Sequence, residues 1–377
     1  MAHVTLLDRA RENWQVRILF ALPGLHRVDR GAEVAFISVA TELARAGEEV
    51  TLIGSGEPRA ATPYRFIHAG ALRREQFERY PVMPLLRSDT VWEEATFLPS
   101  LMRAYRPQDY DVTLTCSYPF TNWALRRAVA GGRRPKHVFV TQNGDWPAIA
   151  RKSEYRFFGC DGLVCINPDF LERNRERWRC ALIPNGVDVT RFTPGPAQRA
   201  RFGLPLDGPI VLMVSAMIAS KNVATGVQAV SRLPGARLVV AGDGPMREEI
   251  RTLADSLMPG RYHQVSVAST EMPDLYRSAD VFLHLSKDES FGNVYVEAMA
   301  CGLPVVAYDL PRTRWIVGDD ALLAGGADLH ALVARIEEGL SGERPSLKMV
   351  ARAQEFSWTA VAKLYREFLA EVVGTGC

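Results

Sequence analysis

Residues 280–307 read DVFLHLSKDESFGNVYVEAMACGLPVVA and contain one complete repeat of the pattern that sets the fold. An apolar run at 280–285 has the length and composition of a buried strand, and a second such run follows at 304–307. Between them, a polar loop leads into a segment that reads as a helix from about residue 293 to 300. Strand, helix and strand in this order predict two parallel strands joined by a crossover helix, the βαβ unit.

The same alternation runs through the whole chain in two series. In the first half, strands are predicted at residues 16–22, 49–53, 111–116, 137–141, 162–166 and 181–183, with a helix at 32–46. Segments rich in Pro and Gly follow at 191–197 and 203–209, and they favour an extended connection. The second half has strands at 210–215, 236–241, near 265, at 280–285 and at 304–307, and helices from about 221 and at 245–257, 272–278 and 293–300. Residues 58–107 have a weaker pattern and carry no element prediction.

Two such series predict an α/β protein of two doubly wound, Rossmann-like domains that face each other across a cleft. In domains of this kind ligands bind beyond the carboxyl ends of the parallel strands. We expect an N-terminal domain at residues 1–188, joined by a C-terminal helix at about 359–377, and a C-terminal domain at 189–358.

Composition excludes several classes of protein. The 377 residues are 47% hydrophobic and 23% charged, as in a packed globular protein rather than a disordered or fibrous one. The formal net charge of +2 gives no reason to expect a nucleic-acid partner. No run approaches the ~18 apolar residues of a membrane span, and charged residues near the N-terminus argue against a signal peptide. We therefore expect a cytoplasmic protein, with peripheral contact at the inner face of the membrane left open.

The cysteines predict neither a disulfide framework nor a metal site. The chain has six cysteines and no Cys-x-x-Cys pair. In a cytosolic chain such cysteines are usually reduced and buried.

The loop before the helix at 293 is the best candidate for a binding site. It lies between a strand end and a helix start, where unpaired backbone N–H groups attract an anion. Glu289 precedes the helix and Glu297 lies one turn into it, and both can accept hydrogen bonds from hydroxyl groups. A phosphate site flanked by two such carboxylates suits a nucleotide-sugar. The alternative is structural: Glu289 caps the helix and Glu297 is a solvated helix residue.

The region resembles glycosyltransferase family 4, the retaining enzymes of the two-domain GT-B architecture. Besides residues 288–307, five segments match the family in order: IPNGVD at 183–188, the stretch 214–222 with its lysine, VVAGDGP at 239–245, MPDLYRSAD at 272–280, and FSW at 356–358 before a last helix. In the family that helix crosses back onto the first domain. The resemblance is strong over residues 181–373 and thinner over 1–180.

The resemblance implies a role for each matching residue. Glu289 and Lys221 are the implied catalytic residues: the carboxylate holds hydroxyls of the donor sugar, and the ammonium stabilises the departing diphosphate. Glu297 accepts both ribose hydroxyls. The further donor-binding positions are Gly31, Gly242, Asp243, Gly244, Phe291, Gly292, Asn293 and Val294.

The family also implies a reaction that retains the anomeric configuration. The departing phosphate oxygen helps to remove the proton of the acceptor hydroxyl on the same face of the sugar. The implied partners are a nucleotide-diphospho-sugar donor and a saccharide, lipid-linked or small-molecule acceptor. Neither a metal nor a cofactor is expected.

Two departures from the family bear on the donor. Many members have Gly-Arg where this chain has Ser215 and Ala216, so a cation on the diphosphate is missing. Many also have a histidine near the donor sugar, where Gln142 and Asn143 stand here. With Trp146, these two amides are candidate contacts for donor sugar or acceptor.

Two other functions stay open at this point. One is a nucleotide-sugar epimerase or phosphorylase on the same fold. The other is a non-catalytic relative that acts as a binding or scaffold protein, a reading motivated by Ala216 and Asn143.

Overall fold

A computed structural model describes residues 15–77, 80, 86, 88–129, 132–142, 144–145, 157–318, 321–326 and 328–374. The chain divides into two compact units. The first runs to Pro184 and takes up the chain again from Val361, and the second is Asn185–Ala360.

The described part of the first unit has one parallel sheet of seven strands in the order β3-β2-β1-β4-β5-β6-β7. Its strands are β1 (Arg17–Ala21), β2 (Glu49–Gly54), β3 (Arg65–His68), β4 (Val112–Thr115), β5 (Lys136–Val140), β6 (Gly162–Cys165) and β7 (Cys180–Leu182). Its helices are α1 (Gly31–Arg45), α2 (Asp89–Ala104), α3 (Phe120–Leu125) and α4 (Pro168–Asn174).

The described part of the second unit has a parallel sheet of six strands in the order β10-β9-β8-β11-β12-β13. The strands are β8 (Ile210–Val214), β9 (Arg237–Ala241), β10 (Tyr262–Val265), β11 (Val281–His284), β12 (Val305–Tyr308) and β13 (Leu322–Ala324). The helices are α5 (Val223–Ser231), α6 (Arg247–Leu257), α7 (Met272–Arg277), α8 (Asn293–Ala300), α9 (Pro311–Val317), α10 (Leu329–Ser341) and α11 (Leu347–Gln354). The last helix, α12 (Trp358–Gly374), begins in this unit, and its residues from Val361 onward belong to the first.

These two parallel sheets confirm the predicted fold class. The predicted return of the last helix is also present, because the chain from Val361 onward groups with the first unit. There, Phe368 and Val372 pack against Gly162 so closely that a Cβ on this glycine would lie 2.8 Å from Val372. A small residue at the start of β6 is therefore needed for α12 to pack.

The helix predicted from about Lys221 begins two residues later, at Val223. Lys221 ends a 3-10 turn, Ala219–Lys221, that precedes it. Asn222 between them adopts the left-handed conformation with φ of +52°. Asparagine tolerates this conformation better than most residues, and it separates the turn from the helix.

The residues of strand β11 alternate between the two faces of the sheet, and this alternation determines which side chains lie beside the loop that follows. Val281 and Leu283 belong to the apolar core of the second unit. Phe282 and His284 face the other way, where their rings contact Tyr295. The chain then leaves the sheet at Leu285 and reaches α8 through an eight-residue connection.

Candidate active site

The connection from β11 to α8 depends on a glycine. Gly292 has φ of +90°, and a Cβ there would lie 2.8 Å from the ring of Tyr295. Only glycine reaches this conformation without strain. The residue that precedes α8 is this glycine, which has no side chain with which to cap the helix. The start of a helix carries backbone N–H groups without partners in the helix itself, and it favours an anion.

Glu289 and Lys221 meet in front of this helix. The Lys221 ammonium forms an ion pair with the Glu289 carboxylate and lies 3.4 Å from Ser286 Oγ. His284 Nε2 is 3.0 Å from the same carboxylate oxygen, Oε1. Burial tends to raise the pKa of Glu289, but the hydrogen bonds and charges of His284 and Lys221 outweigh it and lower the pKa to about 2. Glu289 is therefore ionised at any ordinary pH, and it does not cap α8.

The left-handed Asn222 helps to hold Lys221 in this place. Its side-chain amide donates a hydrogen bond to the backbone oxygen of Leu285, 2.9 Å away. This bond joins the end of β11 to the turn that carries Lys221. The two charged residues are 68 positions apart in the sequence, and the end of β11 brings them together.

Glu297 lies further along α8 and has a buried hydrogen-bond partner. The hydroxyl of Tyr276, which is completely buried, donates to Glu297 Oε2 at 2.8 Å. Burial raises the pKa of Glu297, and the hydrogen bond from Tyr276 offsets only part of this rise. Glu297 is half-buried and hydrogen-bonded, unlike a fully solvated helix residue.

The predicted glycine-rich turn packs tightly against the loop after β8. A Cβ on Gly242 would lie 2.1 Å from the backbone oxygen of Ser215, and one on Gly244 would lie 2.5 Å from that of Met217. Asp243 stays exposed: its carboxylate accepts from the Gly244 N–H at 2.8 Å and lies 3.7 Å from the Arg247 guanidinium. Both glycines thus let two strand-end loops approach each other.

Three further predicted residues surround the start of α8. The side chain of Phe291 is buried against Trp315 and Phe356, so only its backbone is available to a ligand. Asn293 accepts a hydrogen bond from the Asn185 side chain at 3.2 Å. Val294 is half-buried on the first turn.

The segments at 183–188 and 356–358 also meet in the second unit. Val187 pairs with Ser357 in a short parallel bridge. A Cβ on Gly186 would lie 2.6 Å from the Trp358 ring.

The other predicted residues belong to the first unit. Gly31 is the first residue of α1, and nothing lies within 4 Å of the position that a Cβ would take there. Gln142 is half-buried just beyond β5. Asn143 and Trp146 lie outside the described residues.

The sequence contains one Asp-x-Asp segment, at residues 109–111, and it lies away from these strand ends. Asp111 forms a bidentate ion pair with Arg17, the first residue of β1. This is the amino end of the strands, opposite to the edge where ligands bind in such sheets. Within the described ranges, no three His, Cys, Asp or Glu side chains are arranged to hold a metal ion.

Four side chains that the motifs did not single out shape the site: His284, Tyr276, Asn222 and Ser286. Of these, His284 had a signal, because period-two alternation places it at the end of β11 beside the loop.

A model described as Glycosyltransferase Family 4 matches residues 30–191, and a model described as Glycosyl transferases group 1 matches residues 196–356. A D-inositol 3-phosphate glycosyltransferase of Mycobacterium bovis (strain BCG / Pasteur 1173P2) is 33% identical over 389 residues, which cover 90% of this chain and 79% of that protein. The chain belongs to glycosyltransferase family 4.

A second relative and a solved structure extend this likeness over most of the chain. The lipopolysaccharide core biosynthesis glycosyltransferase LpsE of Rhizobium meliloti (strain 1021) is 27% identical over 356 residues, 91% of this chain and 96% of that protein. The crystal structure of Anabaena Alr3699/HepE in complex with UDP-glucose has a TM-score of 0.67 and 16% identity, covering 96% of this chain and 100% of that one. The structural likeness shows the GT-B fold of this family 4 glycosyltransferase. Among the described residues, no helix is long and apolar enough to span a bilayer.

Proposed function

We propose that this glycosyltransferase moves a sugar from a nucleotide-diphospho-sugar to an acceptor hydroxyl and retains the anomeric configuration. The observation that carries the proposal is the convergence of Lys221, Glu289 and the glycine-preceded start of α8 at the end of β11. A cation and backbone N–H groups suit a diphosphate, and an ionised carboxylate suits sugar hydroxyls. Glu297, further along the same helix, is the proposed acceptor of the ribose hydroxyls.

The proposed reaction breaks the bond between the anomeric carbon and the phosphate oxygen. A bond from the acceptor oxygen to the same carbon forms on the same face, and the departing phosphate oxygen takes the acceptor proton. Negative charge grows on the diphosphate during this step. Lys221 is the proposed cation that stabilises this charge, since an interaction with charge that develops during the reaction lowers the barrier. We propose no metal and no cofactor, so a chelator should leave the rate unchanged.

The acceptor is proposed in general terms only. A saccharide, lipid-linked or small-molecule hydroxyl fits the printed names of the relatives, one of which acts on D-inositol 3-phosphate and another in lipopolysaccharide core biosynthesis.

The test is sugar transfer by purified variants, with the anomeric configuration of the product read by proton NMR. Glu289→Gln should reduce kcat about 100-fold or more, by analogy with the loss of one charge-stabilising group in other enzymes. Glu337→Gln, on the exposed face of α10 in the same unit, is the matched control and should keep wild-type rates. An inverted product would refute retention, and full activity of Glu289→Gln would refute the assigned site. An epimerised sugar formed without acceptor would favour the epimerase.

A further inference from the structure

His284 is held on two sides by aromatic rings at the end of β11. Its side chain is 2% exposed. The imidazole stacks on Phe282 with 6.0 Å between ring centroids and 9° between planes, and it meets the edge of Tyr295 at 4.9 Å and 84°. These contacts leave the ring little freedom to turn.

The polar contact of this ring is directed at one atom. Nε2 lies 3.0 Å from Glu289 Oε1. Because an ionised carboxylate only accepts hydrogen bonds, Nε2 must carry the hydrogen. The other nitrogen, Nδ1, is buried and has no hydrogen-bond partner in the described part of the chain. The hydrogen bond from Nε2 to Glu289 therefore indicates a role for His284 besides packing.

Lys221 and His284 both reach Oε1 of Glu289. The other oxygen, Oε2, accepts no hydrogen bond from the described residues, so it can receive a hydroxyl of a ligand. The two donors differ in one respect. Lys221 is a charge on a flexible chain, which an anionic diphosphate attracts, whereas His284 is fixed by its neighbours.

We propose that His284 is a positioning residue that keeps Glu289 aimed at the donor sugar when Lys221 turns to the diphosphate. This inference rests on the proposed function. It predicts that His284 matters for the sugar part of the donor and not for its nucleoside diphosphate part. A purely structural histidine would affect both parts alike.

The experiment compares three replacements at this position with one control. His284→Leu keeps the approximate volume and removes the donor, His284→Phe keeps the ring and removes the donor, and His284→Gln keeps an N–H near the position of Nε2. The control is His263→Leu on β10, a half-buried histidine whose Nε2 also lacks a described partner. For each protein, calorimetric titration with UDP, GDP, ADP and dTDP gives the Kd of the nucleoside diphosphate. Kinetic measurement with their glucose conjugates gives kcat/KM for the nucleotide-sugar.

Loss of a hydrogen bond to a charged group predicts a drop of about 10- to 100-fold in kcat/KM for the nucleotide-sugar in His284→Leu and His284→Phe. Their Kd for the matching nucleoside diphosphate should stay within about twofold of wild type, and His284→Gln should recover most of the loss. Equal weakening of both ligands, or no loss in any variant, would overturn the role of His284. The ring-preserving His284→Phe gives the same test if His284→Leu fails to fold.

A measurement without ligand separates this inference from the proposed function. Nitrogen-15 NMR of the free protein, with the His284 signal assigned from its absence in His284→Gln, should show a hydrogen on Nε2. A hydrogen on Nδ1 alone would overturn the inference even if nucleotide-sugars bind. Wild-type protein that binds no member of the panel would refute the proposed function and this inference together.

Discussion

Replacing Lys221 with methionine removes the charge of the ion pair and keeps most of the side-chain volume. The two partners are well shielded, with side-chain exposures of 19% for Lys221 and 22% for Glu289. The pKa of Glu289 is lowered from 4.5 to about 2 against the effect of burial, through His284 and Lys221. At about 1.4 kcal/mol per pH unit, this lowering corresponds to about 3 kcal/mol. Since two donors share it, we expect Lys221→Met to lose about 1–2 kcal/mol of folding free energy at pH 7.

The loss should depend on pH in a defined direction. A lowered carboxyl pKa stabilises the folded protein above the unfolded value near 4.5, and this stabilisation disappears as the pH falls through about 2. The difference between wild type and Lys221→Met should therefore be full at pH 7 and smaller at pH 3. Urea unfolding at both pH values measures it, with the exposed Lys363→Met as control. A difference that is absent at pH 7, or that is as large at pH 3, would refute the electrostatic account of the pair.

Three other replacements test further features, two at the site and one on α2 of the first unit. Tyr276→Phe removes the hydroxyl that bonds Glu297 and should weaken nucleoside diphosphate binding about 10-fold in calorimetry; unchanged binding would show that this bond does not prepare Glu297 for a ribose. Gly292→Ala adds a Cβ at positive φ against Tyr295 and should cost about 1–3 kcal/mol, lowering the melting temperature by several degrees; an unchanged melting temperature would mean that the loop relaxes freely. Burial raises the pKa of Glu94 to about 8, so its contribution to stability is full below the unfolded value near 4.5 and is lost as the pH rises towards 8. Glu94→Gln should therefore raise the melting temperature at pH 8 and leave it nearly unchanged at pH 4.5. An equal effect at both pH values would contradict the raised pKa of Glu94.

The sequence alone predicted the positions of the strands that are buried on both faces of a sheet. Runs such as 281–285 and 210–214 are almost entirely apolar, as expected of strands covered by helices on both sides. The region at 58–107 did not reveal its elements, and two causes are visible in the structure. Strand β3 is at the edge of the sheet and only partly buried, and α2 contains Pro99. Neither segment has the clean pattern on which a prediction depends.

Only part of the candidate site was predicted from the sequence, because some of its residues depend on contacts that are distant in the chain. The resemblance to the family selected Glu289 and Lys221, and the structure brings them into contact. The resemblance could not show that Asn222 takes a left-handed conformation, because its backbone angles depend on the bond to Leu285 in another part of the chain. His284 was overlooked for a different reason: in the sequence it belongs to an otherwise apolar strand, and its position at the end of that strand was the one indication of a polar role.

Calorimetric titration with UDP, GDP, ADP and dTDP tests the central claim most directly, because it asks whether the strand-end site of the second unit holds a diphosphate. We predict that wild type and Lys363→Ala bind one of the four, and that Lys221→Ala binds the same compound at least about 10-fold more weakly. Binding of equal strength in Lys221→Ala, or the absence of binding to all four in wild type, would contradict the account.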